Sequence, residues 1–216
     1  MNSFSLTLSL NLRTRKKFLI SSRSLELDPA LDVPFVRLGY GDSARPYVPA
    51  STIKGVLRTS LMRVSELLGR QISVKSVEPS RLAEATPDAG DVVTTLFGRP
   101  SGPRGKLRFF PTMLDEKLYR LTHVRINDEI KTAERGGLYT AEYIPIGYDF
   151  KVMLEAVQLS VEEAEALFVA VAALPYERIG RAGLVDVKID LASSRIPPEL
   201  LEASPIIREV VEAMRV

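Results

Sequence analysis

Residues 4–13 read FSLTLSLNLR, in which Leu6, Leu8, Leu10 and Leu12, preceded by Phe4, alternate with polar residues. Only an extended strand places residues i, i+2 and i+4 on one side. The chain must therefore build a sheet with one apolar face and supply something to cover it. The cover comes next. From Ser51 to about Leu68 the period changes, and Ile53, Val56, Leu57, Leu61, Val64, Leu67 and Leu68 recur at three- and four-residue steps, the stripe of an amphipathic helix. The same succession returns later. YDFKVMLEAVQL (148–159) alternates through Phe150, Val152, Leu154 and Ala156. Ser160 and Glu163 form the S-x-x-E capping signature of a second helix through Leu167, Phe168 and Val171, stopped by Pro175. LVDVKIDL (184–191) alternates again through Val185, Val187, Ile189 and Leu191.

A further strand is expected in KLRFFPTML (106–114), broken or held at an edge by Pro111, with one of Phe109 and Phe110 in the core. The order strand–helix–strand, excursion, strand–helix–strand is the split βαβ plan. The fold class expected is α+β, a ferredoxin-like βαββαβ core in a single domain over residues 1–216. A loop from about Ser21 to Pro49, a hairpin inserted at about 115–147 and a C-terminal helix at about 205–214 complete the plan. Two helices would cover one sheet face and leave the other free, as in RNA-recognition modules.

Composition narrows the chemistry. No stretch approaches the ~20 apolar residues of a membrane-spanning helix, and the alternating start lacks the continuous apolar core of a signal peptide, so a cytoplasmic location without a membrane partner is expected. The absence of cysteine excludes disulfides, thiolate zinc sites and cysteine nucleophiles. With His123 as the sole histidine, chemistry needing two histidines within one chain is excluded. His123 itself reads as a packing or surface residue rather than a general base, having no recognisable partner. Asparagine and glutamine are confined to Asn2, Asn11, Asn127, Gln71 and Gln158, a depletion of heat-labile residues like that of hyperthermophile proteins. Net charge is only +2, but the cations cluster in RTRKK (13–17), Lys54/Arg58/Arg63, RPSGPRGKLR (99–108) and RIGR (178–181). Such clusters are either ordinary solvated charge or the footprint of a nucleic acid.

The start of the first helix sharpens that choice. Ser51 reads as its N-cap, with first-turn amides pointing outward where the helix dipole favours anions. Lys54 and Arg58, four residues apart, share one helical row. Gly55 stands between them at a cost of about 1 kcal/mol relative to alanine. Either the glycine admits a neighbouring helix or strand, or it is kept bare for the backbone of a phosphate-bearing ligand.

YVPASTIKGVLR (47–58) resembles the P-[GA]-S-[ST]-[LI]-K-G-x-[LF]-R segment of the RAMP superfamily, subunits of CRISPR–Cas effector complexes. LDVPFVR (31–37) is similar to the loop before that segment in the backbone subunit of type III effectors. LFGRPSGPRGKLRFF (96–110) resembles the Phe-Gly block, and RINDEIKTAERGGLYTAEYIPIGYDF (125–150) the segment bearing the protruding thumb. The resemblance implies an RNA-binding backbone subunit of a type III interference complex, assembled head to tail with other effector subunits along a CRISPR guide RNA that pairs with single-stranded target RNA.

The RNA-binding residues implied are Ser51, Thr52, Lys54, Gly55 and Arg58, with Arg125, Lys131, Arg135 and Tyr139 on the thumb and Arg178 and Arg181 near the C-terminus. Tyr139 and Tyr143 are candidates for base stacking, or else pack the hairpin. The family position of a metal-supporting aspartate falls on Asp32, which would serve target-RNA cleavage with a divalent Mg or Mn; otherwise no cofactor is implied. Glu26, Asp28 and Asp42 are neighbours in sequence. Asp32 read without the family is a loop carboxylate that caps a turn. The family's upstream histidine and glycine-rich run are replaced by SSRSLELDPA, and its C-terminal glycine-rich loop is reduced to RIGRAG (178–183). A non-catalytic capping or adaptor paralogue therefore stands as an alternative; a guide-processing endoribonuclease is a further one, which the reduced glycine-rich loop and the lack of a suitable histidine argue against.

Overall fold

The structure, a computed structural model, describes residues 3–21, 31–39, 41–67, 91–98, 102–115, 118–129 and 131–216. Its strands are β1 (Phe4–Lys16), β2 (Arg37–Leu38), β3 (Arg45–Val48), β4 (Leu107–Phe109), β5 (Thr112–Met113), β6 (Tyr119–Ile126), β7 (Ala133–Tyr143), β8 (Asp149–Leu159) and β9 (Leu184–Ile189). Its α-helices are α1 (Ala50–Leu67), α2 (Val92–Phe97), α3 (Val161–Ala173), α4 (Pro198–Ala203) and α5 (Pro205–Met214).

The main sheet has the order β4-β8-β1-β9, with every neighbouring pair antiparallel. Together with α1 and α3 this is the ferredoxin-like βαββαβ arrangement, in which the first strand of the chain lies between two of the last. Leu6, Leu8, Leu10 and Leu12 are buried with Val152, Leu154 and Ala156 of β8 and Val185, Val187 and Ile189 of β9. Ile53, Leu57 and Leu61 of α1 and Leu167, Phe168 and Val171 of α3 join them in one hydrophobic cluster. The Ser60 hydroxyl donates to the Ala170 carbonyl at 2.8 Å, tying α1 to α3. On the opposite face the turn after β9 folds over the sheet. Asp190 N donates to the Ser9 carbonyl and Lys151 Nζ bonds the Asp190 carboxylate at 2.6 Å. That lysine and Ser193 hold the Asp190 carboxyl down to about 2.

The capping box at Ser160 and Glu163 is present in both directions, and α5 spans the residues expected of the C-terminal helix. Several expectations change. Phe4 stays on the core side but is only partly buried, beyond a register shift between Phe4 and Leu6. Leu191 is exposed, because β9 ends at Ile189 and the chain turns at Asp190. Pro111 divides 106–114 between two sheets, β4 joining β8 while β5 pairs with β3. Phe109 stacks on Phe97 at 6.2 Å, and Phe110 is exposed. The segment expected as loop before α1 contains the paired strands β2 and β3, and α2 and α4 are additional helices. The buried stripe of α1 is followed to Leu61; the Leu67 side chain, Leu68, Glu26 and Asp28 lie outside the described residues.

Ser51 is not the N-cap. The helix begins at Ala50, and the Pro49 carbonyl accepts from Thr52 N at 3.0 Å and Ile53 N at 3.5 Å. A residue before proline favours extended backbone, so β3 runs to Val48 and Pro49, with its fixed φ, turns the chain directly into the helix. Ser51 therefore occupies the first turn with its side chain exposed.

Candidate nucleic-acid interface

Successive residues of an α-helix are 100° apart, and this divides α1 into three sectors. Ile53, Leu57, Ser60 and Leu61 face the core. Ser51, Thr52, Gly55 and Thr59 line one cleft, of about 630 Å³, whose far wall is Tyr176 and Arg178. Lys54 and Arg58 line a second cleft, of about 750 Å³, on the other flank, against Arg104, Arg108 and the glycines Gly98, Gly102 and Gly105. The row expected for Lys54 and Arg58 is kept, since both line the second cleft, whereas Gly55, between them in sequence, lines the first.

Gly55 is bare without being packed. A Cβ built there meets no atom within 4 Å, so the reading in which it admits a neighbouring element does not hold among the described residues. The contrast with the second cleft is instructive. A Cβ on Gly98 would lie 2.6 Å from Gly105 N, and one on Gly105 2.4 Å from the Leu96 carbonyl. Those two glycines let the backbone of 103–105 lie directly against the end of α2. Asp91 caps α2 by accepting from Val93 N at 3.0 Å. Burial lowers the Arg58 guanidinium from its ordinary value, and the charge of Asp91 opposes that shift. Arg58 is half-buried, and Lys54 makes no ion pair among the described residues.

In the first cleft, Arg63 bonds Glu177 at 2.7 Å and so neutralises the buried carboxylate beside Tyr176 and Arg178. Arg178 has no ionic partner among the described residues. Its sequence neighbour Arg181 goes elsewhere. Arg181 N donates to the Leu19 carbonyl at 2.8 Å, and its charge acts on Tyr143. The RIGR cluster is therefore split between two places. Gly180, at φ +57°, makes the split possible, since a Cβ there would be 2.5 Å from the Leu19 carbonyl.

The excursion after β5 is the two-stranded hairpin β6–β7. Arg125 pairs with Glu134 across it at 3.6 Å, with both side chains solvated. Lys131 sits in the connecting loop with φ 54°, and Arg135 is exposed on β7. At the hairpin base, His123 lies opposite Tyr139 with ring centroids 5.1 Å apart, and the Tyr143 hydroxyl is 2.9 Å from His123 Nε2. Tyr139 thus packs the hairpin, with the His123 ring stacked on it, and His123 is a packing residue. Lys17 Nζ lies 5.0 Å from the centroid of the Tyr143 ring. Burial and then Tyr139 push the Tyr143 phenol up, opposed by Arg181.

Asp32 is at the same base. Its Oδ2 accepts from Thr140 N at 2.8 Å, while Asp32 N and Val33 N both donate to the Thr140 carbonyl, at 3.1 and 3.0 Å. Two residues further along β7, Glu142 clamps the loop. Its carboxylate takes Arg37 Nη1 at 2.7 Å and Nη2 at 3.0 Å, and Phe35 N at 3.1 Å. Burial alone would raise the Glu142 carboxyl; the Arg37 and Phe35 hydrogen bonds and the charges of Arg37 and Arg120 outweigh it and hold the group below its ordinary value. The 31–37 loop is therefore fastened to β7, with Asp32 exposed. Among the described residues no three metal-ligating side chains converge. Among the described residues Asp32 offers one exposed carboxylate, which fits a hard divalent cation that takes its other ligands from phosphates and water.

Expected site residues thus fall into three groups: the two flanks of α1, the hairpin arm, and the hairpin base with Asp32. Sequence reasoning did not single out Arg104 and Arg108, although they lie in the basic 99–108 cluster, nor Lys17, although it ends RTRKK. Tyr176 was also missed; an aromatic two residues before RIGR was the available signal. A comparison with curated proteins returned no match. The RAMP superfamily profile matches residues 34–183, which include α1, both clefts, the hairpin and the RIGR turn. With more than half of its length so matched, the chain belongs to the RAMP superfamily.

Proposed function

We propose that this chain is an RNA-binding backbone-type subunit of a type III CRISPR–Cas interference complex, holding guide RNA in a head-to-tail assembly while the guide pairs with single-stranded target RNA. The observation that carries the reading is α1 itself, a ridge with an unpacked glycine on one flank and Lys54, Arg58, Arg104 and Arg108 on the other. Such surfaces bind a phosphate backbone by charge and close approach, leaving sequence to base pairing. Family membership supports a CRISPR-associated RNA-binding role. The test is co-expression with a CRISPR array and sequencing of the RNA that co-purifies. Repeat-derived guides are expected with the native chain and strongly reduced with Lys54→Ala/Arg58→Ala; an RNA-free chain overturns the reading in favour of an adaptor or cap.

Within that role, Asp32 is proposed as the carboxylate that supports metal-dependent target cleavage. A divalent Mg or Mn held there with RNA phosphates would supply charge stabilisation as the RNA 2′-hydroxyl attacks the adjacent phosphate. The protein's own part is to present the carboxylate at a fixed place beside the hairpin, through the Thr140 and Glu142 contacts. The hydrogen bond from Thr140 N favours a second reading, in which Asp32 only fastens the loop. Asp32→Asn separates the two, since the amide oxygen still accepts from Thr140 N. Loss of target cleavage by an assembled complex with unchanged RNA binding supports catalysis; unchanged cleavage assigns Asp32 to the scaffold.

A further inference from the structure

Tyr176 is 82% exposed, the highest value among the exposed large hydrophobics of the described residues. It ends a short 3-10 turn, Leu174–Tyr176, that continues α3, and Leu174 anchors that turn in the core. The ring is thus carried on a fixed element and left in solvent. Across the cleft stand Gly55 and the hydroxyl residues Ser51 and Thr52. Beside the ring is Arg178, while the only acid lining the cleft among the described residues, Glu177, is taken by Arg63. One wall therefore offers a π-face and a cation, and the other offers a side-chain-free helix surface with hydroxyls. The cleft volume of about 630 Å³ lies in the range of small-ligand sites, which span roughly 300–1,000 Å³.

We infer that this cleft is a nucleotide subsite in which one base stacks on Tyr176, the sugar passes over Gly55 and the phosphate meets Arg178. The inference rests on the RNA-binding reading and adds to it a stacking residue and an explanation of the bare glycine. A filled position 55 would project into the space that the sugar occupies. The phosphate at Arg178 meets no competing carboxylate among the described residues of the cleft, because the Arg63–Glu177 pair is closed on itself.

The chain contains no tryptophan, so Tyr176→Trp places one selectively excitable fluorophore at the proposed stack. The full chain is titrated with a single-stranded oligoribonucleotide and with an abasic oligomer of the same length. Binding is followed by anisotropy of an end label and stacking by the emission of the introduced indole. Expected are quenching by the base-bearing oligomer only, and about five- to hundredfold weaker binding of that oligomer to Tyr176→Ala, with Tyr176→Phe close to native. Affinity for the abasic oligomer is expected to be unchanged by Tyr176→Ala. Anisotropy that reports binding without quenching, and with Tyr176→Ala at native affinity, overturns the subsite and leaves RNA binding standing. Absence of binding to either oligomer overturns both.

Discussion

An alanine at position 55 would add one methyl group to α1, and that methyl would touch nothing. Helix propensity then favours the substitution by about 1 kcal/mol, which in a chain of this size raises the melting temperature by roughly 2–4 °C. Gly55→Ala is expected to give that gain in a thermal melt while weakening RNA binding, a trade of stability against function at a single residue. Glu142 behaves oppositely, since it is spent on structure. Its carboxyl is held below the ordinary value of 4.5, so its stabilisation is present above the unfolded-state pKa and is lost as pH falls through the folded one. Chemical denaturation is expected to show stability declining below about pH 4.5, with that part of the decline absent in Glu142→Gln. Glu142→Ala, which strands the Arg37 guanidinium, is expected to cost about 3–5 kcal/mol. The sequence carried the spacing of Lys54, Gly55 and Arg58. It did not carry which cleft each would line, because that depends on where Tyr176 and residues 102–105 arrive.

At the level of elements, legibility followed length and local signalling. β1, β8 and α3 announce themselves by sustained periodicity or a capping box, and the structure keeps them. α2 and α4 span fewer than two turns, too short for a periodic stripe; β2 is only two residues long, and β3 and β5 pair with each other across a long stretch of chain. The start of α1 was misread because a serine after Pro-Ala looks like a cap, whereas the proline carbonyl already begins the helix. The β6–β7 hairpin shows how an element can be separable from the core. Val124, Ile126 and Leu138 are exposed on its outer arm, whereas Ala141 and Tyr143 at its base are buried. Joining His123 directly to Tyr139 through an Asn-Gly turn, with 124–138 removed, restores a two-residue hairpin of favoured type. The shortened chain is expected to melt within a few degrees of the native one by circular dichroism. RNA contacts that depend on Arg125, Lys131 and Arg135 are expected to disappear from crosslinking maps.

Over the whole molecule the net charge of +2 hides a separation. Glu163, Glu177 and Glu142 are each consumed by a cation, at Lys106, Arg63 and Arg37, while Lys54, Arg104, Arg108 and Arg178 line open clefts. Binding driven by those clefts must weaken with salt. For single-stranded RNA each phosphate neutralised contributes about −0.7 to the slope of log affinity against log salt. Lys54→Ala/Arg58→Ala is therefore expected to flatten that slope by about 1.4, measured by titration at several potassium chloride concentrations; an unchanged slope would place both cations off the RNA path.

The central position of β1 also has a consequence in time. Its sheet neighbours are β8 and β9, paired through Arg13↔Asp149 and Leu10↔Ile189. On a ribosome adding roughly 5–20 residues per second, β1 waits on the order of ten seconds for its first neighbour. During that interval the row from Leu6 to Leu12 is an unpaired apolar edge, the kind of segment on which nascent chains aggregate. Segments far apart in the chain are thus bound into one folding event, and a truncation that removes β9 would leave β1 with one of its two sheet neighbours.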